Sequence, residues 1–153
     1  MNTDTICEYT LQYLNNWFND NKIKINFNFN AYGGEIDLSE YLYDLLEYLS
    51  GEIIDFNKYE TDLSSLPEFT QTVFFETRKI HYGKTITYGE LADCIGKPNA
   101  ARAVGQALSK NPYPIIIPCH RVVGKNKIGG WFNTRTELKK KLLMLEACNS
   151  KIY

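Results

Sequence analysis

The sequence predicts an α+β fold: a small N-terminal lobe of a β-hairpin and a helix, then a mostly helical C-terminal domain with a helix-turn-helix. Three observations predict it. Apolar residues alternate at every second position near the start, the period of half-buried strands. After residue 40 the apolar spacing turns helical, with capping signals at the helix starts. The charge also divides the chain in two. Residues 1–77 carry three basic and fourteen acidic side chains, a net of −11, and residues 78–153 carry fourteen basic and four acidic, a net of +10. A split of this kind suits a basic half that meets a polyanion. It equally suits two lobes that attract each other, and charge alone leaves both open.

The size fits one ordinary domain or two small lobes: 153 residues, 44% hydrophobic and 23% charged, the profile of a soluble globular chain. No apolar run is long enough to span a bilayer, and the opening MNTDTICEY has no basic region followed by an apolar one. A cytoplasmic protein without a membrane partner is therefore expected. The four cysteines, Cys7, Cys94, Cys119 and Cys148, show no paired spacing and read as reduced thiols.

Taken in order, Cys7, Tyr9, Leu11 and Tyr13 alternate, as do Ile23, Ile25, Phe27 and Phe29, with turn-prone Asn19-Asp20-Asn21 between them. That pattern predicts an antiparallel hairpin. Leu42, Leu45, Leu46 and Leu49 mark a helix, closed by Gly51. The stretch from Asn57 to Leu66 is the candidate linker, which gives an N-terminal lobe over 1–65 and a C-terminal domain over 66–153. Pro67 suits the first turn of a second helix with Phe69, Val73, Glu76 and Ile80 on one side. Thr87 and Glu90 form a capping-box pattern at the head of a short helix through Cys94. Gly96-Lys97-Pro98 is a turn, and Asn99 is placed to cap a helix from Ala100 to Lys110. Two short helices joined by a tight turn give the helix-turn-helix. The second of them carries Ala100, Ala101, Ala103, Gly105 and Ala107, a low surface from which Arg102 stands out. Such a helix can approach a ligand closely or pack against its own core. A final helix opens at a second capping box, Thr134 and Glu137, with Leu138, Leu142 and Leu145 apolar. Glu146 borders that buried face, where a carboxylate needs a partner.

Prolines 112, 114 and 118 stiffen the segment around the apolar run Ile115–Ile117 that leads to Cys119-His120-Arg121. A cysteine reacts as its thiolate and needs a base or positive surroundings at neutral pH. His120 is adjacent, and Glu146 could orient its imidazole, as in triad arrangements. Neighbouring side chains on an extended segment face opposite ways, so a bridging water or a turn is required. From the residue types alone, an unreactive Cys119 and a surface His120 stay open.

The run Asn111-Pro-Tyr-Pro-Ile-Ile-Ile-Pro-Cys-His-Arg-Val-Val-Gly124 resembles the active-site signature of the O6-alkylguanine-DNA alkyltransferases. Thr87-Tyr-Gly-Glu-Leu-Ala92, Ala101-Arg-Ala-Val-Gly105, Ile128-Gly-Gly130 and Leu142-Leu-Met-Leu-Glu146 resemble the same family in the same order. The similarity spans roughly residues 66 to 147, and residues 1–65 are only loosely similar. The resemblance implies DNA repair by irreversible, single-turnover transfer of an alkyl group from O6-alkylguanine in double-stranded DNA to Cys119, without a cofactor. It implies His120 as the base acting through a water, Glu146 as the orienting acid, and Asn111 as the tie between the helix-turn-helix and the active-site loop. Tyr88 would hydrogen-bond the flipped guanine and help neutralise it as it leaves. Arg102, beside Ala101 on the DNA-binding helix, would fill the gap in the stack. Backbone groups of Cys119 and Val122 would read the guanine edge. A monomer bound in the minor groove is expected. Some relatives hold zinc in the N-terminal lobe, but Cys7 is the single Cys or His before residue 81, so no metal is expected. The sequence departs from the family at Trp131-Phe132-Asn133-Thr134, where many relatives have a small, Gly/Ser-rich loop. Two readings compete: a damage-binding relative without an acceptor, which the presence of Cys119 opposes, and a cysteine hydrolase, which leaves Arg102 and the basic half unexplained.

Overall fold

A computed structural model describes residues 38–126 and 135–150. The expected hairpin, the Trp131–Thr134 loop and the second capping box lie outside those residues. Among the described residues there are five α-helices and one two-stranded parallel sheet, an α+β fold. None of these helices is long and apolar enough to cross a membrane.

Helix α1 runs from Leu38 to Leu49. Tyr41, Leu42, Leu45, Tyr48 and Leu49 are buried while Tyr43 is exposed, so aromatic rings share the inward stripe and Leu46 sits at its edge. The helix ends in a paired closure. Gly51 at φ 109° donates to the Tyr48 carbonyl at 3.0 Å, and Glu52 donates to that of Glu47 at 3.0 Å. Both bonds need the left-handed residue that glycine supplies without strain.

The stretch expected to be a linker is packed instead. A 3-10 turn at Phe56–Lys58 is capped by Asp55, and Phe56, Tyr59 and Leu63 are buried. Arg78 holds the strand of chain from outside, donating to the carbonyls of Tyr59 at 2.7 Å and Asn57 at 3.1 Å. Two buried side chains within it, Tyr59 and Leu63, and Phe56 just ahead of it make the stretch core rather than tether, since full burial of a side chain such as Leu63 or Phe56 contributes about 1.5–3 kcal/mol.

Helix α2, Glu68–Arg78, starts directly after Pro67 and buries Val73, Phe74 and Thr77. Strand β1, Ile86–Thr87, pairs in parallel with β2, Val122–Val123, in the register Ile86 to Val122 and Thr87 to Val123. The pairing is short and non-local, which is why periodicity does not reveal it. Thr87 then caps α3, Tyr88–Cys94: its Oγ1 accepts from Glu90 N, and the Glu90 carboxylate accepts from Thr87 N. Helix α4, Ala101–Ser109, follows a six-residue connection. Asn99 does not cap it. Asn99 sits at φ 73°, a left-handed position that asparagine tolerates, and Ala100 becomes the helix boundary without a side-chain cap. Helices α2, α3 and α4 pack on one another, and α5, Arg135–Asn149, packs on the turn that carries Cys119. One cluster of buried side chains joins α1, the 56–63 segment, the three-helix layer, the loop before Cys119 and Leu138 and Leu142 of α5.

Candidate active site

The loop from Asn111 to Pro118 is held by its own hydrogen bonds. Asn111 is buried; its Oδ1 accepts from Tyr113 N at 2.9 Å, across Pro112. Its Nδ2 donates to the Ile117 carbonyl at 2.9 Å and to Cys119 Sγ at 2.8 Å. Pro118, at φ −79° and ψ 60°, is the corner of an inverse γ-turn closed by Cys119 N on the Ile117 carbonyl at 2.7 Å. Ile115 stands at φ 73°, a conformation a β-branched residue adopts at a cost of about 1–3 kcal/mol. Strain, three prolines and a buried amide thus fix the thiol, which is 1% exposed.

Cys119 opens a 3-10 turn, Cys119–Arg121, which turns His120 and Arg121 inward toward α5. His120 Nε2 lies 2.8 Å from Glu146 Oε1, with both side chains buried. Arg121 Nε donates to Glu146 Oε2 at 3.0 Å, Nη2 donates to Oε1 at 2.9 Å, and Nη1 donates to the Ile80 carbonyl at 2.6 Å. Gly83, at φ 72°, donates its N–H to Oε2 at 3.0 Å; a Cβ there would come within 2.6 Å of Ser150 Cβ. Tyr48 OH, from α1, donates to Oε1 at 2.7 Å and lies 3.3 Å from His120 Nε2.

Burial works against the Glu146 charge, yet the hydrogen bonds and charges of His120 and Arg121 outweigh it and bring the carboxyl down to about 2. Burial likewise pushes His120 below the ordinary imidazole range, and the bond to Glu146 offsets this only in part. The network therefore assigns an ionised Glu146 and a neutral imidazole with hydrogen on Nε2. Nδ1 then presents a lone pair. That atom is buried and has no hydrogen-bond partner among the described residues.

Within reach of the Cys119 charge stands Lys139 of α5, fully buried. Its Nζ donates to the Val122 carbonyl at 2.5 Å and to Tyr88 OH at 3.2 Å, and lies 5.4 Å from the centre of the Tyr88 ring. Burial pushes Lys139 down to about 8, against the upward pull of charge at Cys119. Burial, with the Cys119 charge second, raises the Tyr88 phenol. Tyr88 is the half-buried first residue of α3 and so sits where β1 meets β2.

The structure thus gathers Asn111, Cys119, His120, Glu146, Tyr88 and Val122 in one region. Val122 is buried, its N–H donates to the Cys119 carbonyl, and its carbonyl serves Lys139; each carbonyl keeps a second lone pair. Arg102 is exposed and Ala101 half-buried on the first turn of α4, opposite the buried Val104, Ala107 and Leu108. Cys94 and Cys148 are exposed free thiols. Among the described residues no group of three or more His, Cys, Asp or Glu is placed to hold a metal ion.

Sequence reasoning misses three residues of this site. Lys139 heads a Lys139-Lys140-Lys141 run that looks solvated, yet it shares a helical stripe with Leu142 and Glu146, at spacings of three and seven. Arg121 lies in the quoted motif without a role. Tyr48 has no local signal, since its partner is 98 residues away.

Residues 68–148 match the family described as 6-O-methylguanine DNA methyltransferase, DNA binding domain. The chain is 43% identical over 119 residues to a methylated-DNA–protein-cysteine methyltransferase of Methanocaldococcus vulcanius, covering 78% of this chain and 68% of that one. It is 46% identical over 102 residues to one of the same description from Sulfolobus acidocaldarius, covering 67% and 63%. The crystal structure of Mycobacterium tuberculosis OGT in complex with DNA superposes with a TM-score of 0.65 at 39% identity, covering 73% of this chain and 68% of that one. The matched part thus spans about two thirds of each relative's length.

Proposed function

This chain belongs to the methylated-DNA–protein-cysteine methyltransferase family, and on that premise we propose that it repairs O6-alkylguanine in double-stranded DNA by moving the alkyl group to Cys119. The observation that carries the reading is the buried Asn111–Cys119–His120–Glu146 constellation, with a hydrogen bond on the sulfur and an ordered, neutral imidazole beside it.

In this reading the Cys119 thiol gives its proton, through a water, to His120 Nδ1. The sulfur attacks the alkyl carbon in line. The S–C bond forms as the C–O6 bond breaks, and the electron pair passes to the guanine. Tyr88 donates a proton to the departing base, and Lys139 donates a hydrogen bond to the Tyr88 oxygen, which steadies the phenolate that forms. The thioether is stable to water, so each molecule acts once.

The alkyl carbon is shielded inside a duplex, so the base must leave the stack. Arg102, exposed beside Ala101 on a low helix face, suits the role of filling the gap. A helix of small residues suits the minor groove. The pair α3–α4 would serve as the helix-turn-helix of a C-terminal domain, 66–153, with 1–65 as the N-terminal lobe. The protein would act as a cytoplasmic monomer, and Cys119 and Val122 backbone groups would read the guanine edge.

Incubation with a duplex holding one O6-methylguanine tests this. The protein should gain the mass of one methylene, on the Cys119 peptide, and stop there. Label on Cys7, Cys94 or Cys148, or repeated turnover, sinks the assignment. Cys119→Ala should still bind the duplex.

A further inference from the structure

The geometry points to Tyr48, on α1, as a positioning residue for the alkyl transfer: its hydroxyl closes a triangle with Glu146 and His120 and sets how much carboxylate charge the imidazole feels. The inference rests on the reading of Cys119 and His120 above.

Tyr48 lies outside residues 68–148, the segment that the family match covers. It comes from the acidic half of the chain, and it reaches the same carboxylate oxygen that His120 engages. Its ring is fully buried, edge-on to Phe56 at 5.5 Å and to Tyr82 at 6.0 Å between centroids. Ring packing explains why an aromatic stands there. It does not explain the hydroxyl, which would cost free energy in that setting without its bond to Glu146.

The two bonds of that hydroxyl differ in strength. It donates to Glu146 Oε1 at 2.7 Å, a charge-assisted bond, whereas its contact with His120 Nε2 is 3.3 Å. Since its hydrogen is spent on Glu146, only its lone pair faces His120, which keeps the hydrogen on Nε2 and the basic lone pair on Nδ1. The donated bond also drains charge from Oε1. Less charge at Oε1 means a less basic imidazole, and hence one that is neutral and ready to accept a proton at physiological pH. The other groups around the pair are Arg121 from the 3-10 turn, Tyr82 and the Gly83 N–H after α2, Lys139 from α5, and Tyr88 with Cys119 across the loop. Arg121 and Lys139 act in the same direction as Tyr48, and Tyr48 is the member of the set supplied by α1.

Methylation of Cys119 by methyl iodide, read on the Cys119 peptide, reports the imidazole without DNA. Its rate should fall on the acid side as His120 takes a proton from solvent. Tyr48→Phe keeps the ring and removes the hydroxyl, so that acid limb should move up by on the order of one pH unit. Replacement by 3-fluorotyrosine, a stronger donor of the same shape, should move it down. Tyr59→Phe is the control: Tyr59 OH donates to Asp44 at 2.7 Å and is not among the groups acting on the imidazole, so its loss should lower the thermal midpoint without moving the limb. A limb unmoved by both Tyr48 replacements overturns the proposal, whatever the midpoint does. Failure of the wild type to take a methyl group from duplex O6-methylguanine would instead overturn the repair reading and leave this measurement intact.

Discussion

On the His120 flank of Cys119 the charges are matched: the Glu146 carboxylate takes bonds from Arg121, Tyr48, Gly83 N and His120. On the Lys139 flank a fully buried ammonium donates to two neutral oxygens, Tyr88 OH and the Val122 carbonyl, and burial outweighs the pull of the Cys119 charge. The first arrangement drives ionisation constants away from neutrality, with Glu146 near 2 and His120 lowered. The second draws one toward neutrality, with Lys139 near 8. The difference suits two tasks. In the proposed reaction the accepting side needs a fixed, oriented base whose neighbours do not titrate. In the same proposal the donating side needs a cation that can strengthen its hydrogen bond when the phenol of Tyr88 loses its proton.

Glu146→Gln breaks the matched flank and should have the largest effect. It leaves the Arg121 guanidinium buried without its carboxylate, a loss of roughly 3–5 kcal/mol. Alkyl transfer should slow by about ten- to a thousandfold. The pH dependence has a definite sign. A carboxyl depressed in the folded state stabilises fully above its unfolded value, about 4.3, and that stability is lost as pH falls toward 2. The wild type should therefore lose more stability over that window than the variant, which keeps only the contributions of other depressed carboxyls such as Asp62 and Glu90. Equal acid sensitivity of both proteins, measured as the thermal midpoint against pH, would mean that the Glu146 carboxylate is not the group that titrates.

These flanks were unequally legible in the sequence. Cys119, His120 and Glu146 could be found because a nucleophile, a base and a carboxylate beside an apolar stripe form a chemical pattern, and the surrounding motif resembles a family. The α2 and α3 helices followed from caps and periodicity, and α5 from its periodicity, since those signals are local. Tyr48 and the β1–β2 pairing were not legible because both depend on contacts between distant segments. Lys139 was hidden by composition: in a run of three lysines nothing marks one as buried until the helix is laid against the Cys119 turn. Asn99 was read as a cap because asparagine serves both as a cap and in left-handed turns, and only the backbone decides between them.

Arg102→Ala leaves both flanks intact and so separates chemistry from access. Transfer from duplex DNA should slow by roughly thirty- to a hundredfold, the equivalent of a few kcal/mol of unstacking that the side chain no longer offsets. Transfer from the free base should be unchanged, and the affinity for undamaged duplex should become slightly less sensitive to salt. A matching loss on free base and duplex would move Arg102 into the structural class, and the comparison of flanks would then have to include α4.

Lys139→Met tests the other flank by its smallest signature, a slope. Met keeps most of the buried stem and removes the charge, so the fold survives while Tyr88 loses its donor. Transfer should slow by about tenfold, the worth of one hydrogen bond to a charged group. The more telling readout is stability at alkaline pH. In the folded wild type Lys139 titrates near 8, whereas in the unfolded chain it titrates near 10.4. Between those values the unfolded chain holds the extra proton, so folding becomes more favourable as pH rises. Below pH 8 the full burial penalty is present, and above about 10.4 it is gone. The wild type should therefore gain thermal stability relative to Lys139→Met as pH is raised from 8 to 10.4. Parallel curves would mean that the ammonium carries no depressed ionisation, and the two flanks would then differ in shape but not in electrostatics.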